Sequence, residues 1–439
     1  MPVTTRRPTT RFVFLAVTAV LAIASTGCGI KPSEQAAADE AATTRSQAIR
    51  MGFVVLDTAS LESALGRVFA DSGDLQAQIQ ALVADVNAKG GIGGRPLEAV
   101  IKVFEAFGDS KLKEEQLCKA FTQDEKVFAV VLVGQFQSNA RPCYAKAQTL
   151  MLDQTTYPLV QEDFEKLAPY LWQPSFPEYG ILLTGLIEGL GRNRFFNDGT
   201  TGVLGIDTPE NRRLFERDLV PELARVGVTP VDVRWIDNSS SASLQSGQDQ
   251  AVLSFKSLGV DRLLVVGGQR LAAFMMETGK KQKFFPRYAL TTWDNPEFNI
   301  ANYPDGMQGA VGVSVQPGFD SVPEDDLPFP SGPGEESCVK RLADAGQTFE
   351  GRLNARQALQ YCDAVDLLYL AFNGYDGPLS AEVFAERVQQ LGNEYVSAAS
   401  YTSSYGPGDF AGSNGYRTIE YEESCRCMKL TGEISRFTR

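Results

Sequence analysis

The sequence predicts an α/β protein of two doubly wound lobes, each built on a parallel sheet with helices on both faces. Three observations carry this. Apolar runs of strand length alternate with stretches of helical periodicity in two successive series. Several runs, VFAVVLVG at 127–134 above all, are apolar without alternation, as a strand covered on both faces requires. A chain of 439 residues also exceeds what one ordinary core accommodates.

The first series opens with FVVL at 53–56. Leu75, Ile79, Leu82, Val83 and Val86 then share one helical face, which predicts a helix ending near Asn87. The glycines of ADVNAKGGIGGRP follow at once. Gly90 suits the left-handed position that closes a helix, and the remaining glycines with Pro96 turn the chain into LEAVIKVF at 97–104. A phosphate-cradling loop needs the reverse order, strand before helix, so this stretch reads as a turn. A helix around Lys111–Thr122, the run at 127–134, a short helix over Asn139–Gln148 and TLMLD at 149–153 complete the series.

The second series begins with a helix over Ile181–Leu190. GVLGI (202–206), LFERDLVPELARVG (214–227), VDVRWI (231–236), AVLSFKSLG (251–259), DRLLVVGG (261–268), LAAFMMETG (271–279) and RYALTTW (287–293) follow. From Gly309 the pattern loosens into GAVGVSV and a Pro- and acid-rich loop from Gln316 to Glu336. Helices near Leu359–Asn373 and Ala381–Leu391 and a strand YRTIEY at 416–421 come after it. Asp325, Asp326, Glu335 and Glu336 read as a solvated acidic surface. No short-period repeat is present.

The N-terminus reads as a leader. Arg6, Arg7 and Arg11 precede the apolar run Phe12–Ala24, which is 13 residues long and short of the roughly 20 that a spanning helix needs. Ser25-Thr26-Gly27-Cys28 resembles a bacterial lipobox, whose cysteine is lipidated and becomes the new N-terminus; a plain secretory signal is the alternative. Two acyl chains hold a soluble domain on a membrane where one holds it only marginally. Gly29 to about Arg50, poor in apolar residues, then serves as a flexible tether. Without residues 1–27 the chain loses three arginines and no acid, so its net charge moves from −13 to −16. Such a surface disfavours nucleic acid and anionic lipid headgroups as partners.

Cys118, Cys143, Cys338, Cys362, Cys425 and Cys427 remain beyond Cys28. An even number in an exported chain reads as disulfides, with 15 pairings open. The simplest joins Cys118 with Cys143 in the first half and pairs the other four among themselves. A zinc site is the alternative, but the chain holds no histidine and its only close pair is Cys425-Arg426-Cys427. No cofactor is expected.

Ligand crevices of open parallel sheets lie beyond the carboxyl ends of the strands, and those ends are polar here. Candidate ligand-binding residues are therefore Asp57, Thr58, Gln135, Gln137, Ser138, Asp153, Gln154, Thr155 and Thr156 from the first series, and Asp207, Thr208, Gln269, Trp293 and Asp294 from the second. Ser138 precedes a short helix and reads either as a carboxylate-binding group or as a plain N-cap. Trp293 and Phe136 are placed to wall the crevice by stacking, with core burial as the alternative. Without histidine there is no Ser-His-Asp or Cys-His constellation, and no G-x-S-x-G motif occurs, so catalysis finds no support.

The order of lipobox, tether, FVVLDT, DVNAKGGIGGRPLEAVIKVFEAFGD, FAVVLVGQFQSNARP and LMLDQTT resembles the type I periplasmic solute-binding proteins of the Leu/Ile/Val-binding kind. The likeness extends through GVLGIDTPENRRLFERDLVPELARVGV and YCDAVDLLYLAF. It implies two lobes joined by a hinge, the first over 51–170 and 309–390, the second over 171–308 and 391–439. It further implies a monomer that captures a small polar molecule, an amino acid or related amide or carboxylate, and hands it to an ABC transporter permease at the outer face of the membrane. The family's first-lobe ligand loops fall on Gln137-Ser138 and on Asp153 to Thr156. Asp153-Gln154 departs from the family pattern, placing a carboxylate and a bulky amide where small residues are expected. A sensor presenting a small molecule to a membrane receptor, or an exported enzyme, are the alternative functions.

Overall fold

Residues 47–66, 68–105, 110–135, 137 and 140–437 are described by the computed structural model. The expected leader and Cys28 lie outside the described residues, as do Phe136 and Ser138. Among the described residues no helix is long and apolar enough to cross a membrane.

Two sheets organise the chain. The first contains β1 (Ile49–Leu56), β2 (Leu97–Phe104), β3 (Ala129–Leu132), β4 (Leu150–Asp153) and β5 (Leu171–Trp172), all parallel, in the order β2-β1-β3-β4-β5. The second contains β6 (Thr201–Ile206), β7 (Asp232–Ile236), β8 (Arg262–Val266), β9 (Arg287–Thr291), β10 (Val311–Ser314), β11 (Gly415–Glu422) and β12 (Cys427–Leu430). Its order is β12-β11-β10-β9-β8-β6-β7, parallel from β6 to β10 with β11 and β12 added antiparallel at one edge; β13 (Ser435–Arg436) pairs with β11.

The inner strands of both sheets are buried on both faces, which is why β3, β6 and β10 carry no charged residue, whereas the edge strands β2 and β7 carry charged residues. Successive side chains point to opposite faces of a strand. Met51, Phe53, Val131 and Leu152 meet the helices Leu75–Ala88 and Arg352–Phe372 on one side of the first sheet, while Val54, Val130, Leu132 and Met151 meet Phe121, Tyr144 and Phe164 on the other. The second sheet divides alike: Leu204, Val265 and Leu290 face the helices Ser241–Ser257 and Gln269–Gln282, and Val203, Leu264 and Val311 face the helix Tyr179–Arg192.

The glycine stretch is a turn. Gly90, with φ of 102°, donates to Asn87 O at 3.1 Å and Gly91 donates to Val86 O at 2.9 Å, the paired bonds of a Schellman closure. Gly91 tolerates no Cβ, which would lie 2.0 Å from Arg95 O. Asn87 then fastens the next strand, its side chain bonding both backbone groups of Leu97.

Sheet membership moves the expected lobe boundaries. The tether expected to Arg50 ends earlier, since Ile49 already pairs in β1. Strand β5 belongs to the first sheet, so the first crossing follows Trp172 rather than residue 170. The strand in GAVGVSV is β10, held between β9 and β11 of the second sheet, so the chain does not return to the first lobe at Gly309 but after it. Tyr395, Ala398 and Tyr405 pack in the first lobe's core, so the last crossing comes near Ala411 rather than 391. At that point Gln173 and Ala411 run side by side, Gln173 N donating to Phe410 O and Gly412 N to Gln173 O.

The acidic loop is also more structured than its composition predicts. A helix, Pro333–Asp344, starts within it, and Glu335 is buried against Arg352, whose Nε lies 2.8 Å from its Oε1. Asp326 ties β12 down through Leu430 N and Lys429.

The six cysteines pair as Cys118–Cys143, Cys338–Cys362 and Cys425–Cys427. The first bond staples the helix Lys111–Lys119 to the helix Ala140–Lys146 across 25 residues. Closing a loop of that length in the unfolded chain is worth about 3 kcal/mol in the chain-entropy model. The variant C118S/C143S is therefore expected to lose about that much in urea unfolding. A loss under about 1 kcal/mol would show that the packing of Phe121 and Tyr144 holds this face without the bond.

Candidate functional site

Strand order reverses between β1 and β3 in the first sheet and between β6 and β8 in the second, and ligands of such sheets sit beyond the carboxyl ends at these points. Two cavities open there. One, of about 360 Å³, is lined by the end of β1 with Asp57 and Thr58, by Phe69 and Asp74, by Gly134, Gln154 and Thr156, by Arg356, Gln357 and Gln360, and by Asn295 and Phe319. The other, of about 540 Å³, lies between Lys111, Gln137, Thr156 and Tyr157 of the first lobe and Asp207, Thr208, Asn211, Asp237 and Gly267 of the second.

Thr156 lines both cavities because the lobes touch there. A Cβ on Gly268, whose φ is 81°, would stand 2.9 Å from Thr156 O. G268A is therefore expected to strain this backbone and hold the lobes apart, read as a larger radius of gyration by small-angle scattering; an unchanged radius would mean the contact does not limit closure.

The lobes meet at three further places beside the smaller cavity. Phe69 packs on Phe298 with ring centroids 5.0 Å apart. Val68 N and O bond the Asn302 side chain at 3.0 and 3.1 Å. Arg356 Nη1 lies 3.4 Å from Glu297 Oε2. Both charges of that pair are buried, and burial dominates each: it lowers the Arg356 pKa and raises that of Glu297, the partner offsetting only part.

Behind the cavity wall a hydrogen-bonded chain leads to the crossing segments. Gln154 Nε2 donates to Gln360 O at 3.1 Å, Gln360 Nε2 to Gln316 Oε1 at 3.1 Å, and Gln316 Nε2 to Ser175 O at 2.9 Å. Ser175 Oγ and Ser397 Oγ both donate to Asp363 Oδ2, at 2.6 and 2.5 Å. Burial pushes the Asp363 carboxyl up to about 6 despite these donors. The residues that set the lobes' relation are thus bonded to residues that face the cavity.

Of the residues expected to bind ligand, Asp57, Thr58, Gln137, Gln154, Thr156, Asp207 and Thr208 line one or both cavities. Asp57 and Thr208 also cap the helices Thr58–Leu65 and Pro209–Leu214, and Asp207 holds Arg212 at 2.7 Å. Asp153 and Thr155 line neither of these two cavities. Asp153 lies 2.7 Å from Arg141 Nε and accepts from Thr155 N and Oγ1, so the unexpected carboxylate belongs to an internal ion pair, while the bulky amide of Gln154 does line the smaller cavity. Trp293 is a core residue packed on Phe176 and Tyr179, with centroids 4.4 and 5.7 Å away. Asp294 is fully buried, one oxygen accepting from Thr291 N and Oγ1 and the other without a partner among the described residues. Gln135 is buried with neither amide atom partnered among the described residues. Gln269 opens the helix Gln269–Gln282, its side chain outside the description, as Ser138 is altogether.

Sequence reasoning missed Arg356, Gln357, Gln360 and Glu297. A signal was present: Arg356, Gln360 and Asp363 fall at i, i+4 and i+7, a polar stripe along one face of a largely apolar helix.

No protein-family model matches the chain, and a search of curated proteins returns no match. Solved structures do match. The chain is similar to a possible leucine/isoleucine/valine-binding protein from Rhodopirellula baltica, at 14% identity and a TM-score of 0.60, over 88% of this chain and 97% of that one. It is similar to a branched-chain amino acid ABC transporter protein from Thermus thermophilus with bound valine, at 11% identity and 0.61, over 89% and 97%. A solute-binding protein of an ABC transporter from R. palustris, in complex with 4-hydroxybenzoate, aligns at 13% identity and 0.62, over 89% and 98%. With two doubly wound sheets crossed by three segments and a cleft between them, the chain has the fold of the type I periplasmic binding proteins.

Proposed function

We propose that the chain is an extracytoplasmic solute-binding protein, anchored at the outer face of the membrane through lipidated Cys28. It captures a small polar molecule, an amino acid or related amide or carboxylate, and delivers it to an ABC transporter permease. The observation that carries this reading is the pair of cavities walled by the carboxyl ends of both sheets. A solute bound there touches both lobes, and only such a ligand shifts an equilibrium between open and closed forms. The gap it must overcome is on the order of a few kcal/mol.

Mass spectrometry of small molecules released from the purified chain identifies the solute. Scattering with and without it then tests capture: a smaller radius of gyration is expected on saturation, and an unchanged one speaks against closure. Labelling with a radioactive fatty acid, lost in Cys28→Ser, tests the anchor.

A further inference from the structure

Among the described residues three arginines keep less than a tenth of their surface exposed, and two of them bond through all three guanidinium nitrogens. Arg141 bonds Asp153, Thr155 Oγ1 and Gln137 O. Arg352 bonds both oxygens of Glu335, the carbonyls of Leu327 and Pro328, and Ser331 Oγ. Arg356 does not. Its polar contacts among the described residues are Glu297 at 3.4 Å and Leu353 O at 3.5 Å, both through Nη1, and its guanidinium carbon lies 5.5 Å from the centre of the Phe319 ring.

A guanidinium carries five N–H donors in a planar fork, and burying it with most of them unspent is costly unless something else takes them. The side chain lines the 360 Å³ cavity. We infer that Arg356 anchors the carboxylate of a captured monocarboxylate in this cavity, deepening the solute-capture reading on which it rests. A carboxylate matches the fork with two parallel bonds, the strongest pairing open to an arginine. Gln154 Oε1, buried on the same wall without a partner among the described residues, accepts an N–H or O–H from the solute. Phe69, Val103, Val133 and Phe319 offer a surface for a compact apolar body.

Asp57, Asp71 and Asp74 also line the cavity, each with one oxygen held by a nearby backbone N–H. Their charge disfavours a second carboxylate. Glu297 is the anion that competes for the fork, so its removal strengthens the solute's hold.

The full chain is titrated calorimetrically with benzoate and 3-methylbutanoate, with their neutral amides, and with succinate. Wild type is expected to bind at least one monocarboxylate about ten-fold more tightly than its amide and more tightly than succinate. R356Q is expected to lose that preference, and E297Q to gain several-fold in monocarboxylate affinity, a rise that a merely structural ion pair does not produce. The double variant R356Q/E297Q, free of a lone buried charge, guards against loss of fold in R356Q and is expected to show no preference either. The inference is overturned if the preference survives in R356Q and in the double variant, or if no monocarboxylate binds wild type. An amide that binds wild type and R356Q alike leaves solute capture standing and removes the anchor alone.

Discussion

Asp153→Ala is expected to destabilise the chain by about 3–5 kcal/mol, the cost of leaving a buried charge without its partner. Arg141 is 2% exposed and Asp153 is fully buried, so water cannot take over for either. Burial acts against the Arg141 charge, but the charge and hydrogen bond of Asp153 overcome it and hold the guanidinium above its ordinary value. The same carboxylate orders the loop after β4, through Thr155 N at 2.9 Å and Thr155 Oγ1 at 2.7 Å, and Arg141 stacks over Tyr157 with its guanidinium carbon 4.5 Å from the ring centre. That loop carries Thr156 into both cavities. D153A is therefore expected to weaken solute binding as well as stability, although Asp153 faces neither cavity. Replacing both partners with apolar residues of similar size is expected to cost much less than either single change. The check is a double-mutant cycle in urea: single and double losses that simply add would show that the two side chains do not act as a pair.

Alternation along β4 explains why Asp153 was misread from sequence. Leu152 and Gln154 share one face of the strand, and Met151, Asp153 and Thr155 share the other, which packs on the helix Ala140–Lys146. A polar strand end alone does not say which face looks into the cleft; the register does, and it assigns the cavity to Gln154 and Thr156. The inner strands were legible because both faces of each sheet are covered there, which favours apolar residues at nearly every position. The glycine turn was legible because helix, glycines and strand come in an order that only a closing motif satisfies. The lobe crossings were not: β10 is a short buried strand like those of the first lobe, and nothing local says which sheet it joins. Trp293, Glu335 and Arg352 were hidden for a related reason, since burial of a single aromatic or a charge pair is decided by segments distant in sequence.

The second large effect concerns pH. Burial pushes the carboxyls of Asp294 and Asp320 up to about 7 each, against hydrogen bonds from Thr291 to the first and from Ser314 and Thr292 to the second, with the Asp294 charge adding to the rise in Asp320. In the unfolded chain both titrate near 4. Between pH about 4 and about 7 the folded chain therefore holds protons that the unfolded chain has released, and stability falls as pH rises through that window. The sign is opposite to that of a salt-bridged carboxylate, whose contribution is lost as pH falls. Each group contributes at most on the order of 4 kcal/mol across the window, and Asp363, at about 6, acts in the same direction. The melting temperature is accordingly expected to be higher at pH 5.5 than at pH 8, by roughly 5 °C or more. Asp294→Asn and Asp320→Asn, which supply the neutral form at every pH, are expected to raise the melting temperature at pH 8 and to flatten the profile. A wild-type curve that is level or rising between pH 5.5 and 8 would show that these carboxyls stay ionised in the fold, and that the segments around them admit enough water to pay for it.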